Sequence, residues 1–211
     1  MEQHQEADER PTARVALLAC GALAKDVAEV VARCAWPVDI HGISAFHHME
    51  PKKIVRDVET KLADLSQRYE RVVVVYGDCG TFGALDDVIA RYSAVRPAGM
   101  HCYEWFAETD FPRLQDDEPG AFFLTDWLVR NWDLAVIRGL GLDRFPYLKD
   151  TYFRHLTLLL FFTQTQDATL LDAARRIAEY LDVPLEVRDT GTGPLERILA
   201  KLVDSALPVG I

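Results

Sequence analysis

The chain lacks any apolar run of the roughly 18 residues that a membrane span needs. Its longest, Leu156 to Phe162, is short and interrupted by Thr157. The N-terminus is polar and charged without an apolar h-region, so no secretory signal is expected. A basic excess is also missing: 23 Lys and Arg face 33 Asp and Glu, for a net charge of −10. That balance argues against nucleic-acid partners, whose binding depends on neutralising phosphates. Cysteine is scarce, with four in 211 residues and no C-x2-C pair, which argues against a disulfide scaffold or a zinc finger. Thiols kept reduced for packing or chemistry, in a cytoplasmic protein, are the expectation. Internal repeats and low-complexity segments are absent.

What remains is globular in composition, 49% hydrophobic and 27% charged. Residues 1–13 read as a disordered acidic tail and 14–211 as a single α/β domain. Val15 to Ala19 is a continuous apolar run ending at Cys20-Gly21, followed by helical spacing through Leu23, Val27, Val30 and Val31. Val38 to Ile43 repeats the run, and Pro51 opens a helix carrying Ile54, Val58, Leu62 and Leu65 on one face. Arg71 to Tyr76 is the purest buried-strand signal, and Gly83 to Tyr92 returns to helix. Ala94 to Ala98 reads as a short fourth strand limited by Pro97, Tyr103 to Leu114 as an amphipathic helix, and Ala121 to Leu124 as a strand before a helix over Trp127 to Ile137. A strand at Leu156 to Thr163, a helix at Thr169 to Leu181, a strand at Leu185 to Val187 and a helix at Leu195 to Val203 close the chain. Alternation of this kind predicts a doubly wound, Rossmann-like three-layer sandwich with a largely parallel sheet.

In such folds ligands bind beyond the carboxyl ends of the strands. Cys20 ends the first strand, His47 and His48 follow the second, Cys79 the third, and His101 with Cys102 the fourth. Cys34, at the far end of the first helix, reads as a buried structural residue. Three thiols and an imidazole on one edge suit zinc, or an iron–sulfur cluster with an incomplete thiolate set. The same thiols equally read as small residues buried at glycine turns, or as redox-active groups. Gly77 and Gly80 flank Cys79 and present it at a helix head, where the dipole lowers a thiol pKa. Asp78 reads as an orienter of a histidine, a turn residue or an N-cap. Adjacent imidazoles diverge, so only one of His47 and His48 faces the thiols. Thr190-Gly-Thr-Gly-Pro194 reads mainly as a turn and otherwise as an anion cradle of backbone N–H groups, lacking the P-loop lysine and the full G-x-G-x-x-G pattern. The aromatics Trp127, Trp132, Tyr147, Tyr152 and Phe153 read mainly as core, and otherwise as the lining of a flat-ligand pocket.

The ordered set Ala19-Cys20-Gly21-Ala22-Leu23, His48-Met49-Glu50-Pro51, Val75-Tyr76-Gly77-Asp78-Cys79-Gly80, Cys102 and Gly120-Ala121-Phe122-Phe123-Leu124-Thr125 resembles the domain-of-unknown-function 1638 family of bacteria and archaea, over about residues 14–130. The resemblance implies Cys20, His48, Cys79 and Cys102 as functional positions, selects His48 over His47, and suggests a setting in corrinoid-dependent one-carbon metabolism. Tyr103-Glu104-Trp105-Phe106 is bulkier than the small, glycine-containing stretch associated with the pattern. The expectation is a soluble zinc protein using those four residues in methyl transfer to or from a thiol acceptor, with Cys79 catalytic. A catalytic zinc would want only three protein ligands. The alternatives are an accessory protein of a corrinoid methyltransferase system, or a metal-free thiol enzyme with His48 or His101 as base to Cys79. An iron–sulfur cluster or bound corrinoid is the less favoured cofactor. The expected partners are a small-molecule ligand or a corrinoid methyltransferase component.

Overall fold

The computed structural model describes residues 14–107 and 110–204. The acidic tail expected over 1–13 lies outside them. Strand β1 (Val15–Cys20) is buried along its whole length, because every residue is apolar and both faces are covered. It sits between β2 (Val38–Ile43) and β3 (Arg71–Val75) in an all-parallel order β2-β1-β3. Cys20 stands opposite Ile43, and Ala19 opposite both Gly42 and Val75, so the three carboxyl ends share one edge.

Helix α1 (Ala24–Cys34) follows β1, and α2 (Pro51–Arg68) follows β2 through a 3-10 turn over Ala45–Met49. Pro51 fits the first turn of α2, where its missing N–H is not needed, and Ile54, Val58, Leu62 and Leu65 form the buried stripe. Each such side chain contributes about 1.5–3 kcal/mol on burial. Helix α3 (Ala84–Arg91) completes the third unit.

The parallel strands are divided between two sheets, a difference from one continuous sheet. In the second, β4 (Ala121–Thr125), β5 (Leu158–Thr163) and β6 (Leu185–Asp189) pair in parallel in that order. Side chains of β5 alternate between two cores: Leu160 and Phe162 join the core around β1, and Leu159 and Phe161 join that of the second sheet. The expected fourth strand is reduced to one parallel bridge, Val73 to Val95. The helix expected over Tyr103 to Leu114 is two short ones among the described residues, α4 (Glu104–Ala107) and α5 (Phe111–Asp117).

The helix expected over Trp127 to Ile137 is α6 (Asp126–Arg130) followed by a π-helix over Asp133–Arg138. Helix α7 (Leu148–Tyr152) is short, and α8 (Ala168–Leu181) is capped by the Asp167 carboxylate, which accepts from Thr169 N–H at 2.9 Å. Helix α9 (Gly193–Val203) returns to the first half, where Leu195, Leu199 and Val203 join the β1 core and Glu196 pairs with Arg33 of α1. Among the described residues no helix is long and apolar enough to cross a membrane.

Candidate metal centre

The chemistry-bearing residues gather where β1, β2 and β3 end. Cys20 is the last residue of β1 and fully buried. Two glycines without a left-handed requirement let the loops approach. A Cβ on Gly21 would stand 2.9 Å from Ala45 N, and one on Gly77 would stand 2.9 Å from both Cys102 N and the His101 carbonyl carbon. Gly77 N–H also donates to Cys102 Sγ at 3.2 Å.

Asp78 organises the turn that carries Cys79. It is buried, and its carboxylate accepts from Thr81 Oγ1 at 2.8 Å, Phe82 N–H at 3.0 Å and Gly83 N–H at 2.8 Å. Those donors outweigh burial and hold its pKa below the usual carboxylate value. Of its three sequence readings the turn residue is the one seen, buried rather than solvated, while Gly83 takes the N-cap position of α3. Cys79 itself adopts a left-handed backbone, φ 50°, a conformation costly for a side chain with a Cβ. It is pinned there by its N–H donating to Met100 O at 2.7 Å.

Ligating atoms of Cys20, His48 and Cys102 lie within 4.8 Å of one another. Cys79 stands outside that mutual group, yet its Sγ is 3.7 Å from Cys102 Sγ. The two histidines diverge. His47 Nδ1 lies 3.2 Å from Asp57 Oδ2 of α2, within ion-pair range but off the hydrogen-bonding line. The His48 ring stacks on Tyr76 at 5.5 Å, and its Nδ1–H donates to Ala45 O at 2.7 Å, which leaves Nε2 as the nitrogen free to ligate. The Tyr76 hydroxyl is 3.5 Å from the same Nδ1.

The electrostatics follow from this crowding. The hydrogen bond from Cys102 and those from His101 and His48 drive the Cys79 thiol well down, against burial. Cys102 is pushed up by its hydrogen bonds with Cys20 and Cys79 and by its burial. Burial of the His48 ring would lower its pKa, but the hydrogen bond to Cys79 and the thiolate charges raise it to about 9. His101 rises too, chiefly through its hydrogen bond to Cys79. The cluster brings three thiols and two imidazoles together, a set of groups that suits either nucleophilic sulfur or soft-metal ligation.

Above it lies a cavity of about 230 Å³ between the two halves. His48, Cys79, His101 and Cys102 form its floor. Phe46 and Trp127, with ring centroids 5.7 Å apart, stand among its walls, and Ala135 and Val136 bring in the π-helix. Insertions of that helical type recur at functional sites. Tyr103 also lines it, stacked between His101 at 4.9 Å and Phe123 at 5.2 Å, so the bulky stretch after Cys102 ties the floor to β4.

The family of proteins of unknown function DUF1638 matches residues 43–199 of this sequence. The chain belongs to the DUF1638 family. No curated protein matches it. The DUF1638 match includes His48, Cys79, His101 and Cys102 and begins after Cys20, so the place of Cys20 in the site rests on geometry. It also runs into α9, well past the stretch that carries the recognisable motifs.

Some expectations change. Cys34 is half-buried rather than buried, because it ends α1 beside Glu196. Of the five aromatics considered as a pocket lining, only Trp127 lines this cavity; Trp132 is buried in the second core and Tyr147 and Tyr152 are exposed. Tyr76, Phe46 and the π-helix carried no assigned role in the sequence. For Tyr76 the signals available were its strand-end position and its place at the head of the Tyr76-Gly77-Asp78-Cys79-Gly80 motif.

Proposed function

We propose that this DUF1638 protein is a zinc protein in which Cys20, His48 and Cys102 hold the metal, with Cys79 as the adjacent reactive thiolate or a fourth ligand, and that it acts in methyl transfer to or from a thiol. The observation that carries the reading is the approach of three soft donor atoms, from the end of β1, the 3-10 turn after β2 and the loop before α4, to within 4.8 Å of one another. Two thiolates and an imidazole are a zinc donor set with one position left open. The 3.7 Å between Cys79 and Cys102 sulfurs is close to the edge of a tetrahedral site, about 3.8 Å for Zn–S bonds near 2.3 Å.

Bound zinc would lower the pKa of a thiol acceptor and so supply a nucleophilic sulfur at neutral pH. The chain's own groups do the rest. The Ala45 carbonyl fixes the His48 ring, His101 stands beside Cys79, and Phe46 and Trp127 give the cavity apolar walls. In the transfer, a sulfur–carbon bond forms as the bond from methyl to its donor breaks, and the donor departs with that electron pair. The methyl-transfer and corrinoid setting draws on the family resemblance, and a thiol-rich floor under an apolar cavity is what supports it here. Within that setting the protein is either an enzyme or an accessory of the transferase. The cavity of about 230 Å³ favours a small ligand over a corrin macrocycle.

A metal-free thiol enzyme is the second reading, favoured by one observation: Cys79 lies outside the three-ligand group, on the cavity floor. Elemental analysis and a visible spectrum of anaerobically purified protein separate the readings. Zinc with a blank spectrum supports the first, no metal supports the second, and colour indicates an iron–sulfur cluster or corrinoid.

A further inference from the structure

We infer that the cavity above the cluster binds a small, uncharged thiol, an aryl or alkyl mercaptan of about nine non-hydrogen atoms. The preference for sulfur rests on the proposed metal centre, whereas the size and the neutrality rest on the cavity alone.

Size follows from volume. An apolar cavity of about 150 Å³ accommodates benzene, so about 230 Å³ takes roughly nine heavy atoms in proportion. That is a ring with a short substituent. The space exists because the lining includes alanines at 22, 45 and 135, contributed by the loop after β1, the 3-10 turn and the π-helix.

Neutrality follows from the lining. Among the described residues no Lys, Arg, Asp or Glu borders the cavity. The ionisable groups there are on the floor and already in contact with one another: Cys79 Sγ is 3.7 Å from Cys102 Sγ, His48 Nδ1–H is held by Ala45 O, and the His101 ring stacks on that of Tyr103. A ligand carboxylate, phosphate or ammonium seated against Leu128 and Val136 would lose its hydration without gaining a partner, a cost of several kcal/mol. Amino-acid thiols and phosphorylated thiols are therefore rejected. Trp127 and Phe46 instead offer ring faces to an aromatic or branched apolar group.

Orientation follows from the contrast between walls and floor. With an apolar body held by the walls, a ligand's one polar atom meets thiolate and imidazole groups. A soft sulfur suits that end better than a hydroxyl, because soft donor sites and thiol ligands select the same metals.

The test is calorimetric titration, under anaerobic and reducing conditions, of zinc-loaded and metal-free protein with benzyl mercaptan, benzyl alcohol and 3-mercaptopropionate. Zinc-loaded protein should bind benzyl mercaptan about tenfold or more tighter than benzyl alcohol, and mercaptopropionate about a hundredfold more weakly than benzyl mercaptan. Metal-free protein should bind the two benzyl compounds with similar affinity. Ala135→Phe should abolish both while keeping the zinc content and circular dichroism of the parent. Leu128→Ala should admit naphthylmethanethiol, which the parent refuses. Mercaptopropionate binding as tightly as benzyl mercaptan, or no binding of either benzyl compound to either form, would overturn the inference. If the protein takes up no zinc yet binds both benzyl compounds alike, the metal centre and the sulfur preference fall together, and the small neutral cavity site stands.

Discussion

Cys79 Sγ and Cys102 Sγ stand 3.7 Å apart, although 23 positions separate them along the chain. Backbone bonds from Asp78 and Cys79 to Gly99 and Met100 lace their two loops together, so the contact is built into the fold. These two thiols are therefore the pair expected to cross-link. Under oxidised glutathione, which takes up the two electrons and is released as two thiols, peptide mapping should find Cys79 joined to Cys102 and Cys34 unpaired. Bound metal should slow the reaction. A map dominated by Cys34 adducts with Cys79 and Cys102 still free would contradict this geometry.

His48 and His47 should separate sharply on substitution. His48 faces the cluster with its Nδ1–H on Ala45 O, whereas His47 turns to Asp57. Loss of a ligand or of its orienting partner typically costs about 10–100-fold in metal affinity. His48→Ala should show that loss in competitive zinc titrations and His47→Ala should stay near the parent. Equal affinities would strip His48 of its assigned role.

Gly77→Ala is expected to damage both stability and site. The added Cβ would meet the backbone of His101 and Cys102 at 2.9 Å, and neither atom is the end of a flexible side chain. Overpacking of this kind costs about 1–3 kcal/mol. Thermal melting should fall by several degrees and metal affinity with it, because the Cys102 loop must move off Cys79. An unchanged melt with unchanged metal content would show that the loops are not held as described.

A second titratable feature lies away from the thiols. Asp26, in the first turn of α1, is 6% exposed, and burial, then Asp126 and Glu29, raise its pKa to about 7 against Lys25 and Arg130. Between its ordinary value of 3.8 and about 7 the folded chain holds a proton that the unfolded chain has released. Stability therefore falls as pH rises through that window and is level above it. Asp26→Asn should stabilise the protein at pH 8, by about 4 kcal/mol at most, and change little at pH 4. Denaturant melts at the two pH values measure this, and equal effects at both would refute it.

Much of the first half was legible from residue type and spacing alone. The runs Val15 to Ala19 and Val72 to Val75 are apolar on both faces, and the spacing from Ile54 to Leu65 marks a single helix face. Strand-end placement put Cys20 and Cys79 on one edge, whereas Cys102, which follows a single bridge instead of the expected strand, reaches Cys79 through the bonds of its loop to Asp78 and Cys79. The division into two sheets was not legible, because an apolar run such as Leu158–Thr163 says that it is buried but not which strand it pairs with. Nor was the π-helix, since Asp133–Arg138 has the same side-chain spacing as an ordinary helix to within a fraction of a turn. Val95 pairs only once because Pro97 has no N–H to continue a ladder. The cavity depends on these unseen features, as its far wall comes from α6 and the π-helix.

Metal content of the anaerobically purified protein, measured by elemental analysis on the parent, Cys102→Ser and Cys34→Ser, tests the metal centre most directly. Cys102 touches every part of the cluster, through Gly77 N–H, Cys79 Sγ and the ligand group with Cys20 and His48. Cys34 lies at the far end of α1 and touches none of it. The expected result is one zinc per chain in the parent and in Cys34→Ser, and its loss in a Cys102→Ser variant that remains folded by circular dichroism. Absence of metal from the parent, or equal metal in all three, would contradict the zinc centre.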